Sequence, residues 1–208
     1  MPAPIIQSPD IDEVAVLRAM FEARKRVFID LLKWDLPVLA DRYEIDHFDN
    51  PDAQYLVLTD TEVRHRASTR LLPTDRPHIL ADLFPHLCAG PVPTGEHVRE
   101  ITRFCLDRDL KADERRAARN QLVTALVDHA LANDIRSYTG VADRQWFEKI
   151  RTFGWQCEAL GQPLRYGSQE LVALHIHIDA KTPIGLQRAG IHMPLQFRLS
   201  APRHGRRA

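Results

Sequence analysis

From Val98 to Ala142 the chain passes through a strand, a long helix and another strand, and this order limits the fold more than any other stretch does. The run Val98 to Leu106 reads as strand. Asp113 to Asn133 repeats at helical spacing, with Ala117, Leu122, Leu126, Val127 and Leu131 facing inward, and Ser137 to Ala142 is strand again. Upstream, Tyr55 to Thr59 and Ala67 to Leu72 are strands joined by a short polar turn, which makes them an antiparallel pair. Strands that begin antiparallel and then alternate with helices indicate an α+β or mixed α/β sheet.

The flanking segments fit that scheme. Asp12 to Leu32 carries apolar residues at the spacing of one or two amphipathic helices, with Asp12 as N-cap. Pro37 breaks this pattern, and Trp34 to Asn50 reads as an ordered loop. Ile79 to Leu87 and Arg144 to Phe153 are short helices, and Glu170 to Ile178 is the last clear strand. With 208 residues and 44% hydrophobic content, one domain with one substantial core is expected over residues 1–208.

Charge and cysteine content narrow the function classes. The 28 Lys plus Arg balance the 28 Asp plus Glu, which removes the global electrostatic case for a nucleic-acid partner. Cys88, Cys105 and Cys157 are odd in number and lack C-x-x-C spacing, so neither a disulfide framework nor a cysteine metal site is indicated. The start of the chain lacks a signal-peptide layout, and no apolar run is long enough for a membrane span. A cytoplasmic protein is the expectation.

Within the strand at Val98 to Leu106 stands Glu100-Ile101-Thr102-Arg103-Phe104-Cys105. A carboxylate and a guanidinium in an apolar run are costly to bury unless paired. Their plainer reading is an internal ion pair or a surface pair on an edge strand. Because the offset of Glu100 and Arg103 is odd, strand alternation places them on opposite faces; a common site requires an inserted residue, and a bulge is expected near Ile101 to Arg103.

Five motifs stand in order: Arg24-x-x-x-Phe28, Trp34, Glu44-x-Asp46-x-x-Asp49, Arg70-Leu71-Leu72-Pro73-Thr74-x-x-Pro77, and Glu100-x-x-Arg103-Phe104. Together they resemble the acyl-homoserine lactone synthase (autoinducer synthase) family, at matching spacing from Arg24 to Phe104 and more loosely through Tyr138-Thr139 and Gly154-Trp155. The resemblance implies an N-acetyltransferase-like fold, a mixed and largely antiparallel sheet flanked by helices with a V-shaped acyl cleft. It also implies a substrate-covering segment over residues 12–50, with 200–208 as a flexible tail.

The implied reaction joins S-adenosylmethionine to an acyl group carried as a thioester on acyl carrier protein, then lactonises with release of methylthioadenosine. These are substrates, and neither a cofactor nor a metal is implied. At neutral pH most of an α-amine with pKa about 7.7 to 8.0 is protonated, so a base must lie near. Glu100 is the candidate, its pKa expected to rise in an apolar strand. A backbone N–H freed by the bulge is the candidate oxyanion donor. Asp46 and Asp49 suit orientation, and Arg70 is expected to complete a network with Asp46, Asp49 and Arg103.

Arg24, Phe28 and Trp34 resemble the family's residues for S-adenosylmethionine, an arginine for its carboxylate and aromatic faces for its sulfonium. Their plainer reading is a core aromatic pair with a snorkelling arginine. Phe104, Thr139, Val141, Trp146 and Phe147 are candidates for the acyl wall, with ordinary core packing as the alternative, and the Thr139 hydroxyl would favour a 3-oxo chain. Acyl carrier protein is acidic, and Lys149, Arg151 and Arg165 are its candidate dock, with Arg203, Arg206 and Arg207 at the chain end.

Other chemistry is weaker. His175-Ile176-His177 puts two imidazoles on one strand face, but no neighbouring Cys or acidic pattern completes a ligand set, so no metal is assigned. Cys105 as an acyl-accepting nucleophile is weighed against a small core hydrophobe. The helix start after Leu106 lacks the glycine-rich pyrophosphate cradle of coenzyme A users. Departures from the family pattern are Leu31, Val63 to Arg66 and Val98-Arg99. Two alternatives remain: a related N-acyltransferase using an acyl or aryl coenzyme A, and a non-catalytic acyl-carrier sensor of the same fold.

Overall fold

The computed structural model describes residues 12–194 and 196–201. Arg203, Arg206 and Arg207 lie outside them. The strands are β1 (Val38–Leu39), β2 (Tyr43–Glu44), β3 (Gln54–Thr59), β4 (His65–Pro73), β5 (Val98–Leu106), β6 (Ser137–Asp143), β7 (Gln156–Ala159), β8 (Leu164–Tyr166), β9 (Gln169–His177) and β10 (Arg198–Ser200). The helices are α1 (Glu13–Arg24), α2 (Ile79–Leu83), α3 (Ala112–Ala132), α4 (Arg144–Arg151) and α5 (Thr182–Arg188). The chain forms two compact units, Met1–Arg70, Arg103–Ala125 and Pro194–Ala208 in the first, Leu71–Thr102 and Leu126–Met193 in the second. β4, β5 and α3 each contribute residues to both.

In the first unit, Asp12 caps α1 by accepting the Val14 N–H at 3.0 Å. α1 runs directly into π-helical turns over Lys25–Leu31, where the Leu32 N–H reaches back to the Val27 carbonyl at 2.9 Å. Such wide turns recur at functional sites, and this one carries Phe28. The expected loop after Trp34 contains a small hairpin: β1 and β2 pair antiparallel, and Ala40 and Asp41 both take φ +53° in the turn between them. β3 is buried from Tyr55 to Thr59 and pairs antiparallel with β10. Gln121 of α3 holds the approach to β10, its Oε1 accepting the Gln196 and Phe197 N–H groups at 2.9 and 3.0 Å. Phe21 meets Tyr55 edge-on at 5.9 Å within a core that includes Val16, Met20 and Leu58.

In the second unit, β5 pairs parallel with β6 from Val98↔Ser137 to Ile101↔Gly140. β9 pairs antiparallel with β6, β7 and β8. Gly140 is the last residue of the parallel stretch, and a Cβ there would stand 2.9 Å from the Ile101 carbonyl oxygen, too close for any side chain. Beyond it, Val141 to Asp143 pair with β9 alone in this unit. Leu80, Leu87 and Ala173 form a core cluster, with Phe84, Val92, Val141 and Leu171 packed against it.

The mixed, mostly antiparallel sheet flanked by helices is the expected architecture. Corrections are local. The helix expected over Ile79 to Leu87 is α2 followed by a 3-10 turn at Pro85–Leu87, since Pro85 ends the α ladder. Leu131, expected inward, is 43% exposed because burial along α3 ends at Ala130. β7, β8, α5 and β10 are additional elements.

Candidate active site

The first unit gathers six charged side chains around α1, the loop before β3, and the strands β4 and β5. Arg24 is fully buried; its Nε donates to Glu44 at 2.5 Å, and Nη1 and Nη2 donate to the two Asp49 oxygens at 2.8 Å each. Arg70 donates to both Asp46 oxygens at 2.6 and 3.1 Å and pairs with Asp49 at 2.9 Å. Arg103 donates to Glu44 at 3.1 Å and to Asp46 at 2.7 Å. Tyr55 adds its hydroxyl to Asp49 at 2.9 Å. Three guanidinium groups thus meet three carboxylates, and charge cancels within the cluster.

The electrostatics follow from that balance. Desolvation alone would raise the Asp49 carboxyl, but the Arg24 hydrogen bonds and the charges of Arg24 and Arg70 hold it far below the usual carboxylate range. Asp46 is lowered in the same way: desolvation opposes, and Arg70 and Arg103 prevail. Burial, then the Asp49 charge, pushes the Tyr55 hydroxyl well above the ordinary phenol range, so it stays a donor. Glu44, Asp46 and Asp49 lie close enough together to resemble a cation site, but the three arginines already neutralise them.

The network expected of Arg70, Asp46, Asp49 and Arg103 is therefore present, extended by Arg24, Glu44 and Tyr55. Glu44 belongs to a quoted motif without an assigned role, and Tyr55 had no signal beyond its place in an apolar strand. Arg24, expected to hold a substrate carboxylate, directs three of its five N–H donors to protein carboxylates. Beside this cluster Phe28 and Trp34 stack at 4.9 Å with an 18° interplanar angle, and the Arg103 guanidinium lies 5.7 Å from the Phe28 ring centre. Phe28 is buried, and Trp34 is 38% exposed.

The distortion expected between Ile101 and Arg103 falls on Arg103 itself, which takes φ +51° inside β5. A left-handed residue with a Cβ costs roughly 1–2 kcal/mol. Burial along the strand changes parity there, with Glu100 and Thr102 buried before it and Cys105 after it. Cys105 packs with Val27 and Phe28, and burial pushes its thiol up to about 12. Phe104 is half-buried in the same unit.

In the second unit Glu100 is fully buried, and its Oε1 accepts the Leu80 N–H of α2 at 2.9 Å. Thr139 of β6 is the Cα partner of Glu100; it is also fully buried, and its Oγ1 has no hydrogen-bond partner among the described residues. Val141 packs on the Leu80 cluster, and Trp146, at the N-terminus of α4, meets Phe153 edge-on at 5.9 Å. Phe147 is buried. Thr74 ties the loop before β5, accepting the Gly95 N–H and donating to the Val98 carbonyl, both at 3.1 Å. Lys149, Arg151 and Arg165 are exposed; Arg151 pairs with Glu148 at 3.2 Å, and Arg165 reaches the Gly167 carbonyl at 3.3 Å.

A family model described as autoinducer synthase matches residues 10–183. The chain belongs to the autoinducer synthase family. An acyl-homoserine-lactone synthase from Ralstonia nicotianae is 32% identical over 175 residues, 81% of this chain and 85% of the relative. Among solved structures, TofI in a ternary complex with an inhibitor and MTA is 30% identical with a TM-score of 0.72, covering 84% of this chain and 90% of TofI. BjaI, described as a CoA-dependent acyl-homoserine lactone synthase and solved with SAM and isopentyl-CoA, is 26% identical with a TM-score of 0.77, covering 86% and 83%. This autoinducer synthase is accordingly an acyltransferase that makes an acyl-homoserine lactone.

Proposed function

We propose that the acyl group comes from acyl carrier protein and the acceptor is the amine of S-adenosylmethionine, with Glu100 as general base. The buried Glu100 carboxylate, fixed by the Leu80 N–H at 2.9 Å, carries this reading. The amine nitrogen bonds to the thioester carbon, Glu100 accepts the proton that the amine loses, and as the C–S bond breaks the departing carrier thiolate takes that proton from Glu100 and leaves as the thiol. Lactonisation then forms a C–O bond from the substrate carboxylate as the sulfonium C–S bond breaks. Neutral methylthioadenosine departs, and the two charges cancel.

Each further residue has a role on physical grounds. A backbone N–H beside Arg103, where the strand turns left-handed, is the proposed oxyanion donor. Asp46, Asp49, Arg70 and Arg103, with Arg24 and Glu44 behind them, form a rigid charged frame. The partly exposed Trp34, stacked on Phe28, suits a sulfonium, an attraction of about 0.5–2 kcal/mol. Thr139, Val141 and Trp146 contribute to the acyl wall, and the Thr139 hydroxyl donates to the oxygen of a 3-oxo chain. Lys149, Arg151 and Arg165 offer positive charge to an acidic carrier.

The likeness to BjaI favours a second reading, in which acyl coenzyme A is the donor. Purified enzyme is incubated with S-adenosylmethionine and matched acyl carrier and coenzyme A thioesters, and products are identified by mass. The carrier reading expects faster lactone formation from the carrier thioester, and a Lys149→Glu plus Arg151→Glu variant that raises KM for that donor alone. Equal or faster turnover of the coenzyme A thioester overturns it. Glu100→Gln is expected to lower turnover by about 10²–10⁴ with the fold retained; a folded, fully active variant removes Glu100 as base.

A further inference from the structure

At the outer edge of the second unit, His175 and His177 project from one face of β9, and Glu158 from the edge strand β7 is the Cα partner of His175. Cα partners on adjacent strands point to the same face, so all three side chains share it. The two imidazole rings lie 4.2 Å apart. Glu158 Oε1 stands 3.0 Å from His177 Nε2 and 3.9 Å from His175 Nδ1. One ligand atom from each residue falls within 4.8 Å of the others.

Ordinary pairing leaves part of this cluster unexplained. His177 and Glu158 form a hydrogen bond, but His175 makes none through either nitrogen among the described residues: Nδ1 is too far from Glu158, and Nε2 is buried without a partner. A partly buried imidazole lacking hydrogen bonds needs a physical reason. The nitrogen that faces Glu158 is Nδ1, and with no hydrogen bond of its own it is the one available to a metal. Ligand atoms around a tetrahedral zinc at about 2.0–2.1 Å stand about 3.3 Å apart, and the two measured separations bracket that value. Two imidazoles and a carboxylate are a borderline-soft set suited to a divalent transition metal and unsuited to calcium or magnesium.

We propose that Glu158, His175 and His177 form a binding site for a single divalent transition-metal ion of the zinc class, one that clips the edge strand β7 to β9. Three protein ligands leave a coordination position open to water. His177 and Glu158 side chains are 40% and 58% exposed, so the ion enters directly from solvent. The site shares no residue with the charged cluster of the first unit and does not rest on the proposed donor or base. Binding the folded state raises its thermal stability with the logarithm of ligand concentration above Kd.

The test titrates zinc chloride into the untagged full chain, first stripped with EDTA, by calorimetry and by thermal melting. One ion per chain with micromolar or tighter affinity is expected, with a rise in Tm reversed by chelator and no competition from magnesium. Because the chain has ten histidines, stoichiometry does not locate the ion. Glu158→Gln and His177→Ala replace an exposed and a half-exposed side chain at the sheet edge and keep the fold. Each is expected to weaken binding at least about tenfold, and together they abolish the Tm shift. Absence of micromolar binding overturns the proposal, as does an affinity unchanged in the double variant.

Discussion

Arg24 grips Asp49 with both terminal nitrogens, each at 2.8 Å from its own carboxylate oxygen, in a site closed to solvent. The fork-on-fork geometry is the strongest form of an ion pair, yet burying both charges consumes much of that energy. Its loss from one side is the costly event. Asp49→Asn leaves Arg24 and Arg70 with a missing counter-charge, and about 3–5 kcal/mol of stability is expected to go. Urea denaturation of wild type and variant measures it; a loss under about 1 kcal/mol refutes the network's structural weight. Activity lost in this variant reports the frame and not proton transfer.

The same cluster sets an acid limit. Asp46 and Asp49 both titrate below the ordinary value of 3.8 when folded. A lowered native pKa means the unfolded chain binds protons more readily, so the stabilisation is full above that ordinary value. It is withdrawn as pH falls below 3.8 toward the native values. Unfolding free energy measured from about pH 6 to about pH 2.5 is expected to decline steeply at the acid end. In Asp49→Asn the decline is shallower, because one of the two depressed carboxyls is gone.

Much of this arrangement was legible in the sequence, for identifiable reasons. Glu44-x-Asp46-x-x-Asp49 and Arg70 stood in motifs whose family resemblance implied a shared network, and the odd offset of Glu100 and Arg103 required a distortion if the two were to share a site, which falls on Arg103. β5 matched its expected bounds, a run rich in β-branched and aromatic residues that follows the Gly90 to Gly95 loop. Tyr55 was invisible as a cluster member: in a strand buried from Tyr55 to Thr59, alternation does not reveal where a polar tip points. β7 lacks an apolar run and is mostly exposed, so nothing in the sequence brought Glu158 to His175 and His177. That pairing depends on strand order, which a single sequence does not display.

Cys105 illustrates how burial decides chemistry. Its thiol, pushed up to about 12, holds almost no thiolate at neutral pH, and the thiolate is the nucleophile. That burial argues against Cys105 as an acyl-accepting nucleophile and accords with the proposed direct transfer. Cys105→Ala is expected to keep turnover within a small factor while losing about 1 kcal/mol of stability from the cavity beside Val27 and Phe28. Alkylation at about pH 8, followed by peptide mass analysis, should leave Cys105 unmodified until denaturant is added. Inactivation that tracks Cys105 labelling in the folded enzyme contradicts this account.

Thr139 presents the opposite case, a polar group held where it stabilises nothing. Its hydroxyl is fully buried, its Oγ1 lacks a partner among the described residues, and its Cα partner across the parallel ladder is Glu100. A buried hydroxyl without a hydrogen bond costs about 1–3 kcal/mol. Valine has nearly the same shape without that cost, so Thr139→Val is expected to raise Tm in the absence of substrates. If the hydroxyl is retained for a 3-oxo chain, the same variant should lower kcat/KM for a 3-oxoacyl donor more than for the matching unsubstituted donor. Competing the two donors in one reaction and measuring the lactone ratio by mass reads the preference directly. A higher Tm with an unchanged ratio assigns Thr139 to packing; a higher Tm with a shifted ratio shows that stability is being withheld at this position for substrate recognition.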